Sequence, residues 1–176
     1  MRRVLLVVAV VFAATGVTAA PAYAPIWCPS VMTNGQQLIH ALEADPPYVS
    51  AELGWTGDSY ARLRARTIAN STGSWERFEL ICVEGPDVYA IRSVANGRYV
   101  SAELGWSGNS YGLLRARATR VGAWERFRIP PTAGTTIQST ANGRYVSAEV
   151  GWTGSSYGSL RARATATGPW EYFSIF

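Results

Sequence analysis

Three short segments carry the residue types best suited to holding a ligand. They are Gly54-Trp55-Thr56-Gly57-Asp58-Ser59-Tyr60, Gly105-Trp106-Ser107-Gly108-Asn109-Ser110-Tyr111 and Gly151-Trp152-Thr153-Gly154-Ser155-Ser156-Tyr157. Each places two aromatics, two glycines and several hydroxyl or amide groups within one turn of chain. Trp and Tyr combine an apolar face with a polar edge, which suits stacking on a sugar ring. Glycine lets backbone donors come close to a ligand. The candidate ligand-binding residues are therefore Trp55, Asp58, Tyr60, Trp106, Asn109, Tyr111, Trp152, Ser155 and Tyr157. The competing reading is that the three Trp fold back over the core as apolar plugs. The changing residue (Asp58, Asn109 or Ser155) favours binding, because a pure scaffold position has less reason to change polarity between copies.

Other chemistries find little material. One His and two Cys cannot build a Cys/His zinc cluster, and a His-dependent triad would rest on His40 alone. Nearly every acidic residue of the three segments' neighbourhood has near-copies, whereas an active site needs one asymmetric cluster with separated pKa values. The expectation is a non-catalytic protein with no metal and no cofactor. His40 falls on the column of Ile91 and Ile137 in an ungapped comparison, which predicts a partly buried place in a first strand. Asn70-Ser71-Thr72 matches a glycosylation sequon and reads as a polar insertion.

The 176 residues fit one domain or two small ones, and 48% apolar with 16% charged residues excludes disorder, coiled coil and collagen. All 16 basic side chains are Arg, against 12 acidic ones. Residues 1–24 have the plan of a secretory signal peptide: Arg2-Arg3, the apolar run 4–14, then small residues around Ala19, Ala22 and Ala24. Cleavage falls somewhere between 19 and 24, and the apolar run is too short to span a bilayer. The expected mature chain is secreted, with 14 basic and 12 acidic residues, and a net charge of +2 in place of +4. That field is weak for gripping a polyphosphate, so nucleic acid is not an expected partner. In an oxidising compartment Cys28 and Cys82 are expected to form a disulfide, tying a strap at 25–36 to the first repeat.

The three segments belong to longer repeats. Tyr48-Val49-Ser50-Ala51-Glu52 returns at Tyr99 and Tyr145, offsets of 51 and 46 residues. Leu-Arg-Ala-Arg follows at Leu63, Leu114 and Leu160, and each copy closes on Trp75-Glu76-Arg77-Phe78, Trp124-Glu125-Arg126-Phe127 or Trp170-Glu171-Tyr172-Phe173. The first copy carries two extra residues before that close, within 68–74. Periodicity within a copy is two, which predicts strands. In the second copy they fall near 88–94, 98–103, 112–118 and 124–129. Asn96-Gly97 and Asn142-Gly143 predict type I′ turns between first and second strands, while Asp45-Pro46-Pro47 demands a different turn in the first copy. No segment reads as a capped helix.

Twelve strands in three units are too few for a propeller, which usually needs about four blades, and an open solenoid would need caps that are not visible. An all-β, threefold closed barrel capped by hairpins, the β-trefoil, fits the count, with repeats near 37–86, 87–133 and 134–176. The pattern Asn-Gly-Arg-Tyr-Val-Ser-Ala-Glu, Leu-Arg-Ala-Arg, Gly-x-Trp-Glu-x-Phe resembles the fascin-like β-trefoil family, most closely its bacterial secreted members. The resemblance implies a binding module, found in that family as secreted modules and as accessory domains on polysaccharide-degrading enzymes. The Gln-x-Trp signature of ricin-type trefoils is absent, since Glu76-Arg77-Phe78 and its copies stand there. A polysaccharide or other glycan is the expected partner. The alternative is a secreted protein partner, bound in part through the strap with Trp27 and Val31-Met32.

Among the repeated residues, Phe78, Phe127 and Phe173 are expected in the core. Trp75, Trp124 and Trp170 are expected to pack where the last strands begin. Glu52, Glu103 and Glu149 are expected to pair with Arg64, Arg115 and Arg161 across an outward hairpin face, for a few tenths of a kcal/mol each.

Overall fold

The computed structural model describes residues 35–176. The leader, its cleavage region, Trp27, Val31-Met32 and Cys28, and with Cys28 the expected disulfide, lie outside the described residues. Repeat 1 holds β1 (Gln37–Ala41), β2 (Tyr48–Ala51), β3 (Leu63–Thr67) and β4 (Arg77–Glu84). Repeat 2 holds β5 (Val88–Ser93), β6 (Tyr99–Ala102), β7 (Leu114–Ala118) and β8 (Phe127–Arg128). Repeat 3 holds β9 (Thr135–Thr136), β10 (Gln138–Ser139), β11 (Tyr145–Ala148), β12 (Leu160–Ala164) and β13 (Tyr172–Ile175). Between β9 and β10 the pairing breaks at Ile137, whose carbonyl accepts instead from Val146 N–H at 2.7 Å. The pair therefore stands where one first strand stands in the other repeats.

First and last strands close a barrel. β1 pairs with β4 and β13, β4 with β5, β5 with β8, β8 with β10, and β9 with β13, all antiparallel. The hairpins β2–β3, β6–β7 and β11–β12 form the cap. This is a β-trefoil. Its core is built of threefold sets, each fully or nearly fully buried: Phe78, Phe127 and Phe173; Ile39, Ile91 and Ile137; Val49, Val100 and Val146; Leu63, Leu114 and Leu160. Burying each Phe contributes about 1.5–3 kcal/mol.

Three local expectations are corrected. The Asn-Gly segments do not make type I′ turns, because Ala61 is the single non-glycine with positive φ among the described residues. Ser93 N–H bonds Arg98 O across a four-residue loop, with only Gly97 left-handed at φ +66°, and Ser139 with Arg144 repeats this. Asn96 and Asn142 serve instead as anchors, their side-chain amides donating to Ala116 O at 2.9 Å and Ala162 O at 3.0 Å.

His40 does not share a column with Ile91 and Ile137. It pairs with Tyr48 as Arg92 pairs with Tyr99 and Gln138 with Tyr145. The Asp45-Pro46-Pro47 turn makes the first loop one residue longer, so an ungapped comparison slips by one and flips the face. Ile39 holds the core position, and His40 lies half-buried against Tyr48, ring centroids 5.2 Å apart.

The face of the hairpins that was expected outward is covered. Glu52, Glu103 and Glu149 are 3%, 1% and 2% exposed, and Arg64, Arg115 and Arg161 are buried with them. The reason is packing around the axis. Each hairpin leans on the next: Ala65 N–H bonds Gly158 O, Ala116 N–H bonds Ala61 O, and Ala162 N–H bonds Gly112 O.

Candidate ligand-binding site

The cap builds one device three times, in cyclic order. Arg115 of repeat 2 donates from Nε to Tyr60 O at 2.8 Å and from Nη2 to Gly57 O at 3.0 Å, so it grips the loop of repeat 1. Arg161 grips the loop of repeat 2 through Tyr111 O and Gly108 O, both at 3.0 Å. Arg64 grips the loop of repeat 3 through Tyr157 O at 2.9 Å and Gly154 O at 3.2 Å. The same guanidinium lies over the indole of its own repeat: Arg64 over Trp55 at 5.2 Å, Arg115 over Trp106 and Arg161 over Trp152, both at 5.1 Å. Such a contact stabilises by about 0.5–2 kcal/mol, more as it is desolvated.

Each of these arginines is balanced from below. Glu52 accepts from Arg64 at 3.3 Å and from Arg66 at 2.5 Å. Glu149 pairs likewise with Arg161 at 3.4 Å and with Arg163, and Glu103 with Arg115 at 3.8 Å and with Arg117. Burial pushes Arg64, Arg115 and Arg161 below the usual arginine range, and the carboxylate beside each opposes that shift. Arginine nevertheless stays charged in proteins. Buried, hydrogen-bonded pairs of this kind cost about 3–5 kcal/mol to break, far from the few tenths expected of a surface pair.

The result is three open clefts around the axis, each made by two repeats. Trp55, with Gly54, Thr56 and Ser59, faces Ser155 across a cleft of 510 Å³. Trp152, with Gly151, Thr153 and Ser156, faces Asn109 across 400 Å³, and Trp106, with Gly105, Ser107 and Ser110, faces Asp58 across 380 Å³. These volumes fall within the roughly 300–1,000 Å³ typical of small-molecule sites. The three Trp are half-buried, seated on arginine and turned toward the cleft, neither free nor plugged into the core. The changing residue of each loop serves the Trp of the next repeat rather than its own.

The tyrosines stand apart from the clefts. The Tyr157 hydroxyl donates to Asp45 O at 2.9 Å and accepts from Asp45 N–H at 3.0 Å, and Tyr111 accepts from the Asn142 amide at 3.2 Å. They act as struts to the first loop of a neighbouring repeat. Tyr60, 36% exposed, makes no such bond among the described residues.

Among the described residues, Trp75, Trp124 and Trp170 are the most exposed indoles, at 36%, 39% and 40%. Their edges lie against the backbone of Gly54, Gly105 and Gly151, so they prop the loops that carry the other Trp set. Glu76, Glu125 and Glu171 had no role assigned from sequence. Each folds back to accept the N–H of Gly73, Gly122 or Gly168 at 2.7 Å, which fixes the Gly-x-Trp-Glu turn. The i, i+3 spacing of Gly and Glu in all three copies was the available signal.

Solved structures of the same fold bear on this arrangement. The designed threefold symmetric protein ThreeFoil matches with a TM-score of 0.65 at 14% identity, over 81% of this chain and 98% of that one. The Polyporus squamosus lectin, solved with a human-type influenza-binding epitope, matches at 0.64 and 12%, and an exo-β-1,3-galactanase from Clostridium thermocellum at 0.62 and 13%, each over 81% of this chain. The match spans 49% of the lectin and 30% of the galactanase. No family model and no curated protein matches the sequence. The class is thus fixed by the fold: the chain is a β-trefoil, similar in architecture to these proteins at low identity.

Proposed function

We propose that the protein is a secreted, non-catalytic carbohydrate-binding trefoil, its sites the three axial clefts. The observation that carries this is the repeated seating of an indole on a guanidinium at the wall of an open cleft, opposite a polar side chain from the neighbouring repeat. An indole so held has lost its rotamer freedom before the ligand arrives, which lowers the cost of stacking a sugar on it. Glycine backbone and hydroxyl groups beside it supply hydrogen bonds to ring hydroxyls. The lectin and glycosidase among the structures of the same fold support the reading. Three weak sites on one face favour a repeating polymer, since each bound unit raises the effective concentration of the next.

Retention on insoluble polysaccharides, together with a glycan array, is the direct check. Binding to at least one polymer, competed by its own oligosaccharides, is expected. A folded protein retained on none of them refutes the proposal.

A further inference from the structure

The three clefts share a plan but not a charge. Asp58 forms a wall of one and Asn109 a wall of another, while the Trp55 cleft has Ser155 and, behind Ser59, Arg62. Arg62 occupies the position that Leu113 and Ser159 hold in the other repeats. Its guanidinium is the second one over the Trp55 ring, 5.5 Å from the centroid, and its Nη2 donates to Ser59 Oγ at 3.2 Å. Its Nε is buried without a partner, and it forms no ion pair among the described residues. Burial and the like charges of Arg64 and Arg115 push its pKa down, against a smaller opposing pull from Glu52. A half-buried cation without an ion pair, beside two further cations, is a place where an incoming anion is favoured.

Building on the glycan reading, we infer that the Trp55 cleft is an acid-selective subsite. It takes a sugar residue bearing a carboxylate or sulfate ester, held by the Arg62 guanidinium with Ser59 and Ser155. With two guanidinium groups against the ring, less of Trp55 is left for stacking, so charge carries recognition here. In the other two clefts stacking carries it.

Calorimetry at low salt can compare a galacturonate trisaccharide, the same trisaccharide methyl-esterified to neutrality, and a sulfated galactose trisaccharide. An acidic probe is expected to bind about tenfold tighter than the ester, the scale of one added charge-assisted contact. Whichever acid gains identifies carboxylate or sulfate as the preferred group. Arg62→Leu, which installs the residue of repeat 2, should erase the preference for acid over ester. Arg98→Ser removes the same charge from an exposed loop and should keep it. Equal affinity for acids and ester, or a preference that survives Arg62→Leu or is lost in Arg98→Ser, overturns the inference while the glycan reading stands. Failure of every sugar here and of every polymer above removes both.

Discussion

Where the hairpins cross at the axis, repeats 2 and 3 place Gly112 and Gly158, and repeat 1 places Ala61. All three have positive φ, +75°, +69° and +59°. For the glycines the cause is visible: a Cβ on Gly158 would lie 2.2 Å from Ala65 O, and one on Gly112 2.7 Å from Ala162 O. Repeat 1 makes the same crossing with a methyl group, and Ala116 N–H still reaches Ala61 O at 2.8 Å. The following residue differs too, Arg62 against Leu113 and Ser159. Repeat 1 thus departs at the hub while matching the others in the core. The barrel core needs only apolar volume at each column, whereas the hub sets backbone against backbone, so its departures have local consequences.

The largest effect should come from adding a methyl group where the neighbour leaves no room. Gly158→Ala is expected to destabilise by about 3 kcal/mol or more, and Gly112→Ala by less, in denaturant unfolding. Equal and small costs would show that the crossing can spread as it does at Ala61. Next comes the hub charge. Glu103→Gln leaves Arg115 and Arg117 without their shared carboxylate and should cost about 3–5 kcal/mol. Glu79→Gln, which breaks the half-exposed pair with Arg92, should cost under about 1 kcal/mol. A similar loss for both would erase the distinction between hub and wall.

Ala61→Gly relieves a left-handed alanine, worth about 1–2 kcal/mol, against the greater freedom of glycine in the unfolded chain, about 0.5–1 kcal/mol. A small net gain in stability is expected, and a clear loss would mean that the methyl group packs well. The smallest effect concerns His40. Burial lowers its pKa, so the folded state holds the proton less well than the unfolded one. Its contribution is complete above the usual histidine pKa and is lost as pH falls through the folded value. His40→Gln, the residue of repeat 3 at that place, should flatten the decline in stability as pH falls below the usual histidine value. An unchanged slope would assign that decline to other groups.

The repeats made the fold legible, because one unit copied at near-constant spacing leaves few ways to close twelve strands. The Trp of each loop and the residue that changes between copies were also visible as cleft material. What sequence could not reveal was the cyclic exchange, in which Asp58 serves Trp106 and Arg115 holds the loop of repeat 1. Those partners lie about fifty residues apart and meet only after closure. Alternation predicted one outward hairpin face, and the ring of hairpins buried it. Alternation also says nothing about neighbours in a ring. Arg62 could have been noticed by setting Ala61-Arg62 beside Gly112-Leu113 and Gly158-Ser159.

Affinity electrophoresis through gels containing soluble polysaccharides puts the axial clefts to the most direct test. The wild-type protein should be retarded by at least one polymer. Trp55→Ala, Trp106→Ala and Trp152→Ala together should abolish or sharply reduce that retardation while the chain stays folded, and Tyr172→Ala, at an exposed aromatic outside the clefts, should leave it intact. Retardation that survives loss of all three cleft indoles, or that disappears with Tyr172→Ala, would contradict the account.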